Sequence, residues 1–331
     1  MPYILSNANA TMNNSTIKLF QELRKEFVNR STAAIVGEIF TLLVINVLAL
    51  LGKLLVCMAY RRNYLLRSST NMLVVSLAVT DFMISTAVMP LTIIALLVGK
   101  WAFRQTVCEI QGFLTHLLAF LSLQIMALTA INRYLRVFKA KLFRKVFTRR
   151  QTALIIVSVS VFTLVFFVGL LFIAKSSFIF HPGKVICVIK FRNINQSRVF
   201  TVVSSILFVV IPALVITICY LNVFKSFKQH RNNFNAKYKS RNGPARLSRI
   251  EISVTRTVFT IVAVFFTTWI PCFIIDLTDT MYSSYLPRPV YMTYTFLAFA
   301  SSAVNPIIYG VMNKTFRMEF YRLTLHRGIK L

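Results

Sequence analysis

With 331 residues, 56% of them hydrophobic and only 14% charged, the chain is too apolar for a water-soluble surface. Thirty-eight Lys and Arg against nine Asp and Glu give a formal charge of +29, but these charges fall between apolar runs, which argues for membrane sorting and against nucleic acid as a partner. Nine Gly, nine Pro and 30 Phe exclude collagenous and disordered chains, and five Cys are too few for a disulfide scaffold.

Residues 1–33 lack the short apolar core of a cleavable signal peptide, so the first span is expected to act as an uncleaved signal-anchor behind a retained tail. This tail carries N-glycosylation triplets at Asn9, Asn13, Asn14 and Asn29, and a further triplet begins at Asn195. Ile17, Phe20, Leu23 and Phe27 recur at helical spacing, which predicts a short helix lying on the membrane surface.

A bilayer core of about 30 Å needs about 20 apolar residues in a helix. Seven nearly uncharged stretches meet that need: Ala34 to Tyr60, Asn71 to Val98, Val107 to Phe138, Thr152 to Ala174, Val199 to Phe224, Ser253 to Leu277 and Val290 to Met312. None alternates as a barrel strand would. Twenty-five Lys and Arg lie on the side of the first, third and fifth connections and the C-terminal tail, against 12 on the other side. By the positive-inside rule the N-terminus is outside and the C-terminus cytoplasmic. All five glycosylation triplets then fall outside. Past the seventh span, Phe316, Phe320 and Leu323 share a helical face beside Arg317 and Arg322. The expected fold is an all-α membrane protein, a seven-transmembrane helix bundle over 34–312 with a short amphipathic eighth helix and tail over 313–331.

Polar residues at bilayer depth are rare and usually functional. The second span holds Asp81, and the third opens at Cys108 and ends in Asn132-Arg133-Tyr134. In the sixth span stand Phe265, Trp269 and Pro271, and the seventh ends in Asn305-Pro306-Ile307-Ile308-Tyr309. Cys108 precedes Arg133 by 25 residues, Pro212 precedes Tyr220 by eight and Glu251 precedes Pro271 by 20. In this order and spacing the chain resembles a rhodopsin-like (class A) G-protein-coupled receptor over about residues 34–326. Within that family, the runs Cys108 to Leu114, Ala130 to Tyr134 and Ile308 to Phe316 look most like melatonin receptors and their invertebrate relatives.

The resemblance implies a role for each motif. Cys108 and Cys187, on the outer side, are favoured as a disulfide pair. Arg133 and Glu251 would form the ion pair that holds the inactive state, with Asn132 where many relatives have Asp. Tyr220 and Tyr309 would approach each other when the sixth helix swings outward and a heterotrimeric G protein enters. Pro212, Leu123 and Phe265 would link the ligand cavity to that movement, and Trp269 would form the cavity floor. Asp81, Ser122 and Asn305 match the family's sodium pocket.

The first span departs from the family, with Lys53 after Gly52 where Asn is usual. A charged, unpaired lysine at mid-membrane costs at least about 2.5–3.5 kcal/mol. Two readings follow: Lys53 pairs with Asp81 and replaces sodium, or it is neutral or reaches for lipid headgroups.

The expected ligand pocket comprises Thr115, His116, Ala119, Ser204, Ser205, Phe208, Trp269, Cys272, Phe273, Asp276, Tyr291, Thr295 and Phe299. It is apolar and aromatic, suiting a small, weakly polar ligand. Thr115 stands where amine receptors have their aspartate, and Phe299 where opsins have the retinal lysine. Phe208 and Phe191 replace the His and Gln of melatonin receptors. Asp276, Asp279 and Glu109 are expected to cluster toward the mouth, while the second outer loop brings Lys184, Lys190 and Arg192. No cofactor or metal is implied. The basic second inner loop faces anionic membrane lipid or the G protein. The C-terminal tail offers little for phosphorylation-dependent arrestin binding, leaving Ser240 and Ser248 of the third inner loop. Enzyme motifs are absent. The alternatives are a multi-span transporter or channel, or a constitutively active or coupling-deficient seven-helix protein.

Overall fold

A computed structural model describes residues 14–191, 193–236, 249–282 and 286–325. Asn9, Asn13, Arg192, Ser240 and Ser248 lie outside the described residues. Among the described residues, seven helices are long and apolar enough to cross a membrane.

Helix α1 (Asn14–Val28) precedes the first span, α2 (Thr32–Arg62). Ser31 starts α2 by accepting the Ala34 N–H on its hydroxyl, satisfying one of the free donors of a first turn. Ser68 does the same for α3 (Ser69–Val98), which contains a π turn at Ile84–Val88 and stops at Gly99 in the left-handed region, φ 70°. The third span is α4 (Gln105–Phe138), followed by the short α5 (Ala140–Val146) and by α6 (Arg149–Ile173), capped by Thr148. Strands β1 (Ser177–His181) and β2 (Ile186–Lys190) form an antiparallel hairpin with Phe180 opposite Cys187. Helix α7 covers 194–236, with a π turn at Ile206–Val210. Then come α8 (Arg249–Tyr282), α9 (Arg288–Met312) and the amphipathic α10 (Lys314–Leu325). The spans expected from sequence thus recur, each starting two to five residues earlier.

Two apolar cores stack along the bundle, one toward the hairpin end and one toward the Arg133 end. Close backbone approach fixes two joints. A Cβ on Gly52 would sit 2.6 Å from the Pro306 ring, so α2 and α9 touch at a distance only glycine permits. A Cβ on Gly112 would run into the Phe178 ring and the Cys187 carbonyl, which is how the hairpin lies against α4. The Cys108–Cys187 disulfide pins that contact.

Helix α1 corrects the expectation of a surface-lying helix. Leu23 and Phe27 are fully buried in the core at the hairpin end, because Phe27 packs on Phe180 while two guanidinium groups flank its ring. Arg30 donates to Glu38 (2.6 Å) and to the Leu96 carbonyl, and Arg288 grips both oxygens of Glu38 at 2.6 and 2.8 Å. At the other end Glu319, 2% exposed, accepts from Asn63 and lies 3.6 Å from Arg62, docking α10 under α2.

Candidate functional site

The hairpin half of the bundle encloses a cavity of about 870 Å³. Its floor is Phe265 stacked on Trp269 at 5.5 Å, with the indole N–H donating to Ser301. Thr115, His116, Ala119, Ser204, Ser205, Phe273, Asp276, Tyr291, Thr295 and Phe299 line it with Trp269.

Two expected residues do not line it. Phe208 is fully buried and stacks on Phe120 at 4.7 Å. The π turn adds one residue to α7, so after Ser204 and Ser205 the wall continues through Val209, Val210, Ala213, Leu214 and Thr217. Cys272 instead turns to α9, its thiol donating to the carbonyls of Thr268 and Tyr294.

The hairpin turn drops Lys184 into the cavity roof. Its ammonium donates to Asp276 and Asp279, each at 2.8 Å. Tyr294 donates to the other Asp276 oxygen and Tyr291 to the other Asp279 oxygen, so all four carboxylate oxygens are engaged. Burial lowers the Lys184 pKa, but the two carboxylates outweigh it and hold the ammonium above its ordinary range. Thr295 fixes the turn by donating to the Lys184 carbonyl. Beside it His181 accepts the Lys184 N–H on Nδ1 and packs between Phe20 and Tyr291. Burial, then the Lys184 charge, holds His181 well below its ordinary pKa, so it is neutral. Lys190 lies on the cavity wall, whereas Glu109 is exposed beside Gln105 and does not join this cluster. His116 bonds the Gly112 carbonyl through Nδ1.

Below the floor runs a buried polar belt. Lys53 and Asp81 meet at 2.5 Å, with side chains 1% and 6% exposed. Ser302 and Asn305 also donate to Asp81, at 3.1 and 3.2 Å. Ser122 bonds Thr80 at 3.0 Å instead of the carboxylate.

At the far end Arg133 is 3% exposed, and Asn132 accepts from Thr70 at 2.9 Å. Tyr220 and Tyr309 are buried beside it, with no hydrogen bond between them among the described residues. Pro212, Leu123 and Phe265 are all buried. Pro271 and Pro306 lie inside α8 and α9. Tyr134 packs against Phe138, with ring centroids 4.9 Å apart. Glu251 lies on α8, and its side chain is outside the described residues.

The family model described as "7 transmembrane receptor (rhodopsin family)" matches residues 52–309, which include the disulfide, the belt and the Arg133 end. The chain belongs to the rhodopsin family of seven-transmembrane receptors. The receptor is similar to melatonin receptor type 1B-B of Danio rerio, with 28% identity over 84% of this chain and 78% of the relative. Melatonin receptor type 1B of Mus musculus is 29% identical over 83% and 74%. Squid rhodopsin shares the fold, with a TM-score of 0.75 and 21% identity over 96% of this chain and 91% of that one. Membership makes the protein a multi-pass plasma-membrane signalling receptor, not an enzyme.

Two features of the receptor escaped sequence reasoning. Phe20 of α1 lines the cavity, and Glu38 joins Arg30 to Arg288. Glu38 is the sole acid in α2, within two turns of its start, and that was the one available signal for the last.

Proposed function

We propose that this chain is a ligand-activated receptor whose cavity binds a small, weakly polar molecule and whose Arg133 end promotes nucleotide exchange on a heterotrimeric G protein. The observation that carries the reading is the stack of cavity, Trp269–Phe265 floor, Lys53–Asp81 belt and Arg133 end along one axis. Ligand contact at the floor would displace α8 at Pro271, where the helix lacks one hydrogen bond, and that displacement would free Arg133 from Glu251.

The N-terminus and hairpin face outward in this reading. Twelve basic residues against 25 on the Arg133 side support it, as does a disulfide, which persists on the oxidising side. Asn9, Asn13, Asn14, Asn29 and Asn195 are then glycosylation acceptors, and Asn29 and Asn195 are exposed. The bundle over 34–312, the tail over 1–33 and the 313–331 segment follow as its parts.

The test is nucleotide exchange on a panel of Gα subunits, wild type against Arg133→Ala, without ligand and with indoleamines including melatonin. Exchange lost in Arg133→Ala is expected. Equal exchange by both proteins would refute the mechanism.

A further inference from the structure

The hairpin turn is built to place one cation. Gly183 lies so close to the Tyr291 ring that a Cβ there would sit 2.7 Å from it. Val185 holds φ 53°, a left-handed conformation that a β-branched residue rarely adopts. The Val185 N–H closes the turn on the His181 carbonyl at 2.8 Å, and Thr295 donates to the Lys184 carbonyl. With the backbone fixed on both sides, the Lys184 side chain extends into the cavity, where it is 5% exposed.

Its ammonium meets a complete site for a primary amine. Asp276 and Asp279 are the acids among the lining residues, three positions apart and so on one face of α8. Each gives one oxygen to Lys184 at 2.8 Å and the other to a tyrosine of α9. The rings of Tyr294 and Tyr291 have their centroids 4.9 and 5.5 Å from Nζ. Two carboxylates and two aromatic faces around one ammonium are the chemistry that recognises a cationic amine ligand. Here the amine is part of the chain. What it joins matters mechanically. Asp276 and Asp279 lie five and eight residues beyond Pro271, on the outer arm of α8, whereas the hairpin is fixed to α4 by the disulfide. An outer arm drawn toward α4 and α9 tips the inner arm away from them about the proline, the direction that parts α8 from Arg133.

We propose that Lys184 is a tethered ligand: its ammonium fills the cavity's amine site, draws in the outer arm of α8 and sets a basal signal without any added molecule. The inference rests on the reading of the chain as a receptor that couples to a G protein from this cavity, and deepens it. The cavity of about 870 Å³ retains room below the turn for a second, diffusible ligand acting on the same arm. A strap that held the receptor inactive would work in the opposite sense, because cutting it would free α8 and raise exchange.

The test is chemical rescue. Lys184→Ala keeps the backbone bonds of the turn to His181 and Thr295 and removes a propylammonium fragment, so n-propylammonium in solution is the probe. In nucleotide exchange on Gα without other ligand, wild type should show Arg133-dependent basal exchange and Lys184→Ala several-fold less. Lys184→Arg, which keeps a cation at the site, should fall between them. Millimolar n-propylammonium should restore the exchange of Lys184→Ala, whereas n-propanol, similar in size and uncharged, should not. Occupancy is read separately and without G protein. The amine should raise the Tm of purified Lys184→Ala in a saturable way and leave wild type unmoved. Adding Asp276→Asn and Asp279→Asn to Lys184→Ala should abolish that rise. Exchange in Lys184→Ala equal to or above wild type, rescue by propanol as good as by the amine, or no saturable rise in Tm would overturn the tether. A wild type silent until a ligand is added would do the same. Arg133-dependent exchange that ignores Lys184 removes the tether and leaves the coupling reading. A saturable rise in Tm with no exchange from any protein removes the coupling reading, and the tethered signal with it.

Discussion

Replacing Lys53 by Met keeps the length of the side chain and removes its charge, leaving the Asp81 carboxylate buried against two neutral donors, Ser302 and Asn305. At 2.5 Å and an effective dielectric of about 20, the Lys53–Asp81 attraction is about 6–7 kcal/mol. Desolvating the two ions costs several kcal/mol each, so the pair is near balance as a whole. Removing one partner exposes the other's desolvation and should cost about 3–5 kcal/mol. In thermal unfolding of the purified receptor that is a fall in Tm of about 6–20 °C, at roughly 2–4 °C per kcal/mol. Asp81→Asn alone should fall similarly. The double substitution Lys53→Met with Asp81→Asn removes both charges and should regain most of the loss. Sodium should raise the Tm of Lys53→Met, whose carboxylate lacks a counter-ion, and leave wild type unmoved. The reasoning fails if Lys53→Met is as stable as wild type, or if the double substitution loses the sum of the two single losses.

His181 is buried neutral, so stability should be level above its ordinary pKa of 6.5 and decline as pH falls below it, where the unfolded chain takes up a proton that the folded chain resists. The slope is up to about 1.4 kcal/mol per pH unit, read as a pH-dependent Tm that His181→Phe flattens. Cys187→Ser opens a loop of 79 residues and should cost at most about 4.5 kcal/mol, visible as a lowered Tm without reductant and a smaller response to it. Glu38→Gln strands two guanidinium groups, Arg30 and Arg288, and should increase hydrogen exchange across α1 while leaving α10 unchanged. Uniform exchange in α1 of both proteins would refute the latch.

The spans were legible because a bilayer imposes length and apolarity on each segment separately, and the signature residues because each motif is local in the chain. The Lys53–Asp81 contact was accessible for a related reason: a buried cation needs an acid at its own depth, and Asp81 was the one available. Lys184 was brought near Asp276 and Asp279 by its loop, but its depth and exact pairing were not traceable in this way. Its partners lie 92 and 95 residues away and depend on how far the hairpin turn dips. Phe208 was misplaced because a regular 3.6-residue period does not foresee a π turn, and one added residue moves a side chain about 100° around the axis. The N-terminal helix was legible as a helix. Its docking was not, because an apolar stripe says that something is covered and not whether lipid or protein covers it.

The Gly52–Pro306 contact also divides the molecule by stiffness. Helices α2, α3 and α9 are bolted together by that backbone contact, by the Lys53–Asp81–Asn305 belt and by Glu38 with Arg288, and α4 is riveted to the hairpin through a covalent bond. Helix α8 carries an internal proline and meets α7 at its two ends, near Ile194–Ser205 and through Tyr220 and Phe224 against Phe259. Force applied anywhere in the cavity therefore has one compliant direction in which to do work, and the bundle yields along the α7–α8 seam while the opposite half serves as its frame.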